Sequence, residues 1–192
     1  MSKVKIENLA RDLATLLGES LMLECQPEES PFPGIEERTR LLAPSLLEKI
    51  ILEAPAEMLS DFKILNGSAV IDSQGMATVT LPDDFLRLGA IQMNDWQRPV
   101  TELTDPLSEK GLRQFSQVKG VKGSPERPVA IRGIKKGAPC LLLFSCSQDA
   151  SLSSFLYMAR PAIGADDTLD IPDSLYYTLL DSLAQKVTPS II

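Results

Sequence analysis

Apolar side chains at Ile6, Leu9, Ala10, Leu13, Leu16 and Leu17 recur three and four residues apart, which places them on one face of an α-helix. The spacing predicts a helix over about residues 7–23, with Glu7, Arg11, Asp12 and Glu19 on its far side. Pro27, Pro31, Pro33 and Gly34 cannot continue that helix, so residues 26–34 read as an exposed connection. A second stripe, Leu41, Leu42, Leu46, Leu47, Ile50, Ile51 and Ala54, predicts another helix, in which Pro44 must kink the chain or start a new turn. Pro55 closes it and opens one further turn through Glu57, Met58 and Leu59.

From about residue 62 the apolar period changes. Residues 68–71 and 76–81 read as two strands joined by Asp72-Ser73-Gln74-Gly75, with Gly75 free to take the positive φ that a bulged hairpin needs. Further strands are predicted over 86–93, 98–103, 128–134, 140–146 and 155–160, separated by turn formers Asn94-Asp95, Lys136-Gly137 and Gln148-Asp149. Residues 105–123 are polar and glycine-bearing, with a short helix over 107–115, and read as a mobile loop.

Helical spacing returns at the end of the chain. Leu175, Leu179, Leu180, Leu183 and Val187 form a stripe, and Pro172 sits where a first-turn proline belongs. A single stripe is unstable in water, and the first two helices carry matching apolar faces. The predicted fold class is therefore α+β: a small helical bundle from residues 1–64 and 165–192, with an antiparallel β domain, 65–164, inserted between its halves.

Composition narrows the function. With 44% hydrophobic and 23% charged residues over 192 positions, the chain has the makeup of a globular protein rather than a disordered one. Lys and Arg number 19 against 26 Asp and Glu, a net charge of −7. A duplex binder gains its free energy by neutralising phosphates, so sequence-specific DNA binding is not expected. The absence of histidine removes every Ser-His-Asp and Cys-His pair and every imidazole metal site. Cys25, Cys140 and Cys146 are odd in number and lack CxxC spacing, and the last two sit in an apolar run, so they fit packed thiols in a reducing compartment. Charges at Lys3, Lys5, Glu7, Arg11 and Asp12 leave no uncharged core for a signal peptide, and no stretch reaches the ~18 apolar residues of a membrane span.

Few constellations carry chemistry. Asp83-Asp84 and Asp166-Asp167 are neighbours that point apart in a strand or cap at a turn, so no metal site and no cofactor is assigned. Lys119, Lys122, Lys135, Lys136, Arg127 and Arg132 lack a Gly-rich phosphate loop opening a helix and read as solvated turns. Trp96, the single tryptophan, is either an interface anchor or a lid over the sheet.

The run Val79-Thr80-Leu81-Pro82-Asp83-Asp84-Phe85-Leu86-Arg87-Leu88-Gly89-Ala90-Ile91, followed by Trp96-Gln97-Arg98-Pro99-Val100, resembles the tailed-phage head-tail adaptor (connector or head-completion) proteins. The order of parts is similar as well: N-terminal helices, an inserted β region, the strand around Phe155 to Pro161, and a closing helix opened by Ile171-Pro172. The acidic Pro-rich linker and the 105–123 loop depart from that pattern. The resemblance implies a non-enzymatic protein that forms a homo-oligomeric ring on the portal protein, monomeric when isolated, and meets tail proteins while DNA passes through its channel. It implies a location in the virion, or in the host cytoplasm when expressed from a prophage, with no membrane partner. The interface expected from it comprises Phe85, Leu86, Arg87, Trp96 and Arg98, with the 105–123 loop ordering on docking. An acidic wall lets a duplex slide where a basic one would hold it. Two other classes remain open: a cytoplasmic protein-binding module using Trp96 and the β face, and a histidine-independent enzyme gathering Asp83, Asp84 or Glu102.

Overall fold

The computed structural model describes residues 2–18, 34–116, 118 and 121–187. These form four α-helices and three antiparallel sheets, about 32% helix and 32% strand, an α+β fold. In chain order they are β1 (Ser2–Lys5), α1 (Ile6–Leu16), α2 (Ile35–Glu53), β2 (Lys63–Ile64), β3 (Val70–Ile71), β4 (Met76–Thr80), β5 (Phe85–Met93), α3 (Glu109–Gln114), β6 (Val129–Lys135), β7 (Ala138–Phe144), β8 (Leu152–Ala159), β9 (Thr168–Ile171) and α4 (Tyr176–Val187). The chain divides into two compact units, one of residues 1–61 with 160–192 and one of 62–159. The sequence analysis puts these boundaries at 64/65 and 164/165.

In the first unit, α1, α2 and α4 are in mutual contact. Ile6, Leu9 and Leu13 from α1, Ala43, Leu47 and Ile51 from α2, and Leu179 and Leu183 from α4 are all buried, whereas Leu16 and Leu41, which the spacing put on the apolar stripes of α1 and α2, are exposed. Helix α1 is shorter than its spacing predicts. Gly18 takes φ +71°, and the Leu17 and Gly18 amides donate to the carbonyls of Leu13 and Thr15, so the helix ends in a left-handed glycine where the apolar period suggested continuation. The remainder of that expectation, residues 19–23, and the Pro-rich connection at 26–33 lie outside the described residues. Helix α2 runs unbroken through Pro44, so no new helix starts there. Ala43 and Leu47 on either side are fully buried, and their packing offsets the hydrogen bond that proline cannot make. After Pro55 the extra turn is a single 3-10 turn, Ala56–Met58.

Two elements of this unit were not predicted. Strand β1 pairs antiparallel with β9, in register Ser2 with Ile171 and Lys5 with Thr168. Four-residue strands at distant places in the sequence leave no local period to read. Asp166-Asp167 forms the turn into β9: Thr168 Oγ1 donates to Asp166 Oδ1 at 2.8 Å, while Arg40 donates through both terminal nitrogens to the Asp167 carboxylate. A 3-10 turn, Asp173–Leu175, follows Pro172 and precedes α4, so the proline opens that turn rather than the α-helix itself.

The second unit holds two sheets, ordered β2-β8-β5 and β3-β4-β7-β6, which share a main apolar core, and a second, smaller buried cluster is formed by Val129, Ile131 and Phe144. The hairpins form where turn chemistry placed them. Gly75 has φ +76°, and Asp72 Oδ1 accepts from the amides of Gln74 and Met76 at 2.8 and 3.0 Å. Lys136 and Gly137 both have positive φ and join β6 to β7 in a two-residue turn. The strand expected over 98–103 is absent. That segment makes one isolated bridge, Val100 to Ile91, and Pro99 beside it has no N–H to give a ladder; just beyond it Thr104 bridges to Ile131.

Candidate docking surface

The segment that carries the family resemblance lies on β5 and the turn before it. Strand β5 pairs with β8 through three register irregularities, between Phe85 and Arg87, Leu88 and Ala90, and Gln92 and Met93. Each inserts a residue that does not alternate faces. That is why Phe85 and Leu86, adjacent in sequence, are both buried, at 5% and 8% exposure. Gly89 belongs to the same construction, since a Cβ there would stand 2.5 Å from the Phe62 ring.

The Phe85 ring stacks on Tyr157 with 5.9 Å between centroids and also contacts Phe155. Asp84 ties the turn down: it accepts from Lys63 Nζ at 2.7 Å and from the Tyr157 hydroxyl at 3.0 Å. Burial alone would push the Asp84 carboxyl up, but these two hydrogen bonds and the Lys63 charge outweigh it and hold the group below its ordinary value. The Tyr157 hydroxyl is raised, first by burial and then by the neighbouring carboxylate. This arrangement joins the turn to two strands.

Of the five residues expected at the interface, three are corrected. Phe85, Leu86 and Trp96 are buried within the chain and cannot anchor a partner on an exposed face. Trp96 is 4% exposed, and its indole Nε1 donates to the Ser145 carbonyl at 3.2 Å, so it closes the core as a lid. Arg87 is half-buried and Arg98 exposed. Phe85, Leu86 and Arg87 do come together, with Glu102 and Arg132, around a recess of about 340 Å³, where the Arg132 guanidinium sits 5.8 Å from the Phe85 ring centroid. Trp96 and Arg98 do not line it.

The region expected to be a mobile loop contains a pinned helix. Asp105 Oδ1 accepts from the Leu107 amide at 2.8 Å, and Ser108 caps α3 by accepting from the Gly111 amide at 3.1 Å. At the far end Gln114, only 2% exposed, accepts from the Gly123 amide at 2.7 Å, and the Phe115 ring stands edge-on to Phe144 at 5.4 Å. Lys119 and Gly120 lie outside the described residues.

A cleft of about 500 Å³ opens beside this helix, within the range of ligand sites. Its wall includes Met76, Leu142, Phe144, Phe115, Asp95, Ser145 and Lys122. Asp95 Oδ2 accepts from the Ser147 amide at 2.6 Å, whereas Asp95 Oδ1 and Ser145 Oγ are shut from solvent and have no hydrogen-bond partner among the described residues. Ser145 is also held at φ +76°, a conformation that costs a non-glycine residue of order 1–3 kcal/mol and clusters at functional sites. Cys146, next in the chain, is buried; burial and then the Asp95 charge push its thiol up to about 11, which leaves it unreactive. The sequence analysis missed this cleft. Asn94-Asp95 read as a turn and Phe115 as the last residue of a short helix, and nothing local joins either to residues 142–147.

Among the described residues no three His, Cys, Asp or Glu groups converge on a metal position, and no helix is long and apolar enough to cross a membrane. No protein-family model matches the chain, and no curated protein matches it.

Proposed function

We propose that this chain is a structural assembly protein of a tailed phage or prophage, a head-tail adaptor that forms a ring between portal and tail and extends the DNA channel. The observation that carries the reading is the interruption of one unit by another. The first 61 residues and those after 159 make a helical unit, and the residues between them make a separate β unit. A ring needs two different patches per subunit, one for each neighbour, and two compact units supply distinct surfaces for that. The net charge of −7 suits a channel through which a duplex must slide. The chain does this work without catalysis, in the virion or, from a prophage, in the host cytoplasm.

Electron microscopy of the purified chain mixed with portal rings tests the reading. The expected result is an added ring of density, coaxial with the portal, that is missing from portal alone. A chain that stays monomeric and has no affinity for portal rings would overturn it. A protein-binding module of unknown partner is the second reading, favoured by the cleft beside α3, and that negative result would support it.

A further inference from the structure

The chain has three asparagines, Asn8, Asn66 and Asn94, and only Asn66 is followed by glycine. It lies in residues 65–69, the irregular link between β2 and β3, where Asn66, Gly67 and Ser68 are all exposed. Among the described residues no hydrogen bond holds the Asn66 side chain or the Gly67 amide. The other two asparagines are restrained. Asn94 Oδ1 accepts from the Ser151 amide at 2.9 Å, and the Asn94 amide donates to the Ser151 carbonyl at 3.0 Å. Asn8 sits within α1, ahead of the fully buried Leu9.

The amide nitrogen after an asparagine can reach the side-chain carbonyl carbon only when the backbone rotates to bring the two together. A helix fixes that rotation in another range, and a Cβ on the attacking residue crowds the approach. A glycine in an exposed, irregular link imposes neither restriction.

We propose that Asn66 is a site of spontaneous covalent modification, at which the chain cyclises on itself and reopens as aspartate or isoaspartate. The Gly67 nitrogen gives its proton to solvent hydroxide and forms a bond to Asn66 Cγ. The Cγ–Nδ2 bond breaks, Nδ2 takes a proton from water, and ammonia leaves. One water molecule then opens the cyclic imide. Attack at Cγ breaks the new bond and yields aspartate. Attack at the main-chain carbonyl carbon breaks the original peptide bond instead and yields isoaspartate, with the chain running through Cγ. Either product is negatively charged at neutral pH where Asn66 had no charge. Isoaspartate also lengthens the main chain by a methylene between two sheet-edge strands that are held by two residue pairs each, Lys63 and Ile64 on β8 and Val70 and Ile71 on β4. The inserted length loosens the β2 edge. The adaptor reading plays no part in this chemistry, so either can fail alone.

The full native chain is incubated at mildly alkaline pH and physiological temperature, digested, and mapped by mass. The peptide holding Asn66 should exchange NH for O with time and separate into two chromatographic forms, of which the isoaspartyl one accepts a methyl group from S-adenosylmethionine through isoaspartyl methyltransferase. Peptides holding Asn8 and Asn94 should convert many-fold more slowly. Unfolding in guanidinium should change the Asn66 rate by no more than a few-fold, because the native link is already free. Gly67→Ala should slow conversion severalfold; the added Cβ meets only the Leu65 side chain, at 3.4 Å, an ordinary contact that leaves the fold intact. Asn66→Gln, whose longer side chain would close a larger ring, should stay unconverted. In the isoaspartyl form the Leu65 amide, which donates to the Phe155 carbonyl at 2.9 Å, should exchange faster with solvent. A native Asn66 rate far below that in guanidinium, conversion of Asn8 or Asn94 ahead of it, an undiminished rate in Gly67→Ala, or unaltered exchange at Leu65 would each overturn the proposal.

Discussion

Gly111→Ala sets local preference against tertiary contact with opposite signs. Gly111 lies inside α3, where alanine is favoured over glycine by about 1 kcal/mol in helix propensity, so the local rule predicts a more stable protein. The structure predicts the reverse. A Cβ at this position would stand 2.2 Å from the Asp105 carbonyl oxygen and 2.9 Å from that of Pro106, where ordinary contact begins at 3.4 Å. The backbone must therefore open by more than an ångström. The Asp105 carbonyl cannot simply retreat, because it accepts from both the Ser108 amide at 3.1 Å and the Ser108 hydroxyl at 2.6 Å. Overpacking of this kind costs ~1–3 kcal/mol and comes with loss of the Ser108 cap. Guanidinium unfolding followed by Trp96 fluorescence should show a lower midpoint, and amide exchange at Leu112 and Gly123 should accelerate. A midpoint that rises, with exchange at those amides unchanged, would refute the reasoning and leave helix propensity in command.

Three further outcomes are expected. Asp84, held below its ordinary value of 3.8, contributes stability that is present above that pH and is lost as the pH falls through the lower folded value. The stability difference between wild type and Lys63→Met should accordingly be largest near neutrality and shrink on acidification, and a difference independent of pH would contradict the Lys63 and Tyr157 contacts. Cys140 and Cys146, both buried and both with raised thiols, should resist iodoacetamide in the native protein and react on unfolding, as read by peptide mass mapping; rapid native labelling would place them elsewhere. Leu183→Ala, at a fully buried site on α4, should cost ~2–5 kcal/mol in chemical denaturation, whereas a loss below about 0.5 kcal/mol would mean that α4 is not packed on the other helices.

The amino-acid order alone decided much of the architecture. The stripes on α1, α2 and α4 and the hairpin turns at Gly75 and at Lys136-Gly137 are local patterns, each set by side chains within a few residues of one another. The α+β class follows from where those patterns begin and end. What sequence could not reach has a common cause: it depends on residues far apart in the chain. The β1–β9 pair joins Ser2 to Ile171, and Trp96 became a lid because Ser145, forty-nine positions on, offers its carbonyl. Phe85 and Leu86 were expected at an interface, but bulges against β8 turned both inward. The cleft belongs with these. Asp95, Phe115 and Ser145 are unremarkable where they stand in the sequence, and only tertiary packing brings a carboxylate with one sealed oxygen, an aromatic ring and a serine at positive φ to one place. Periodicity reports which face of an element is apolar, while the partner of that face is fixed by the free energy of the whole packed unit.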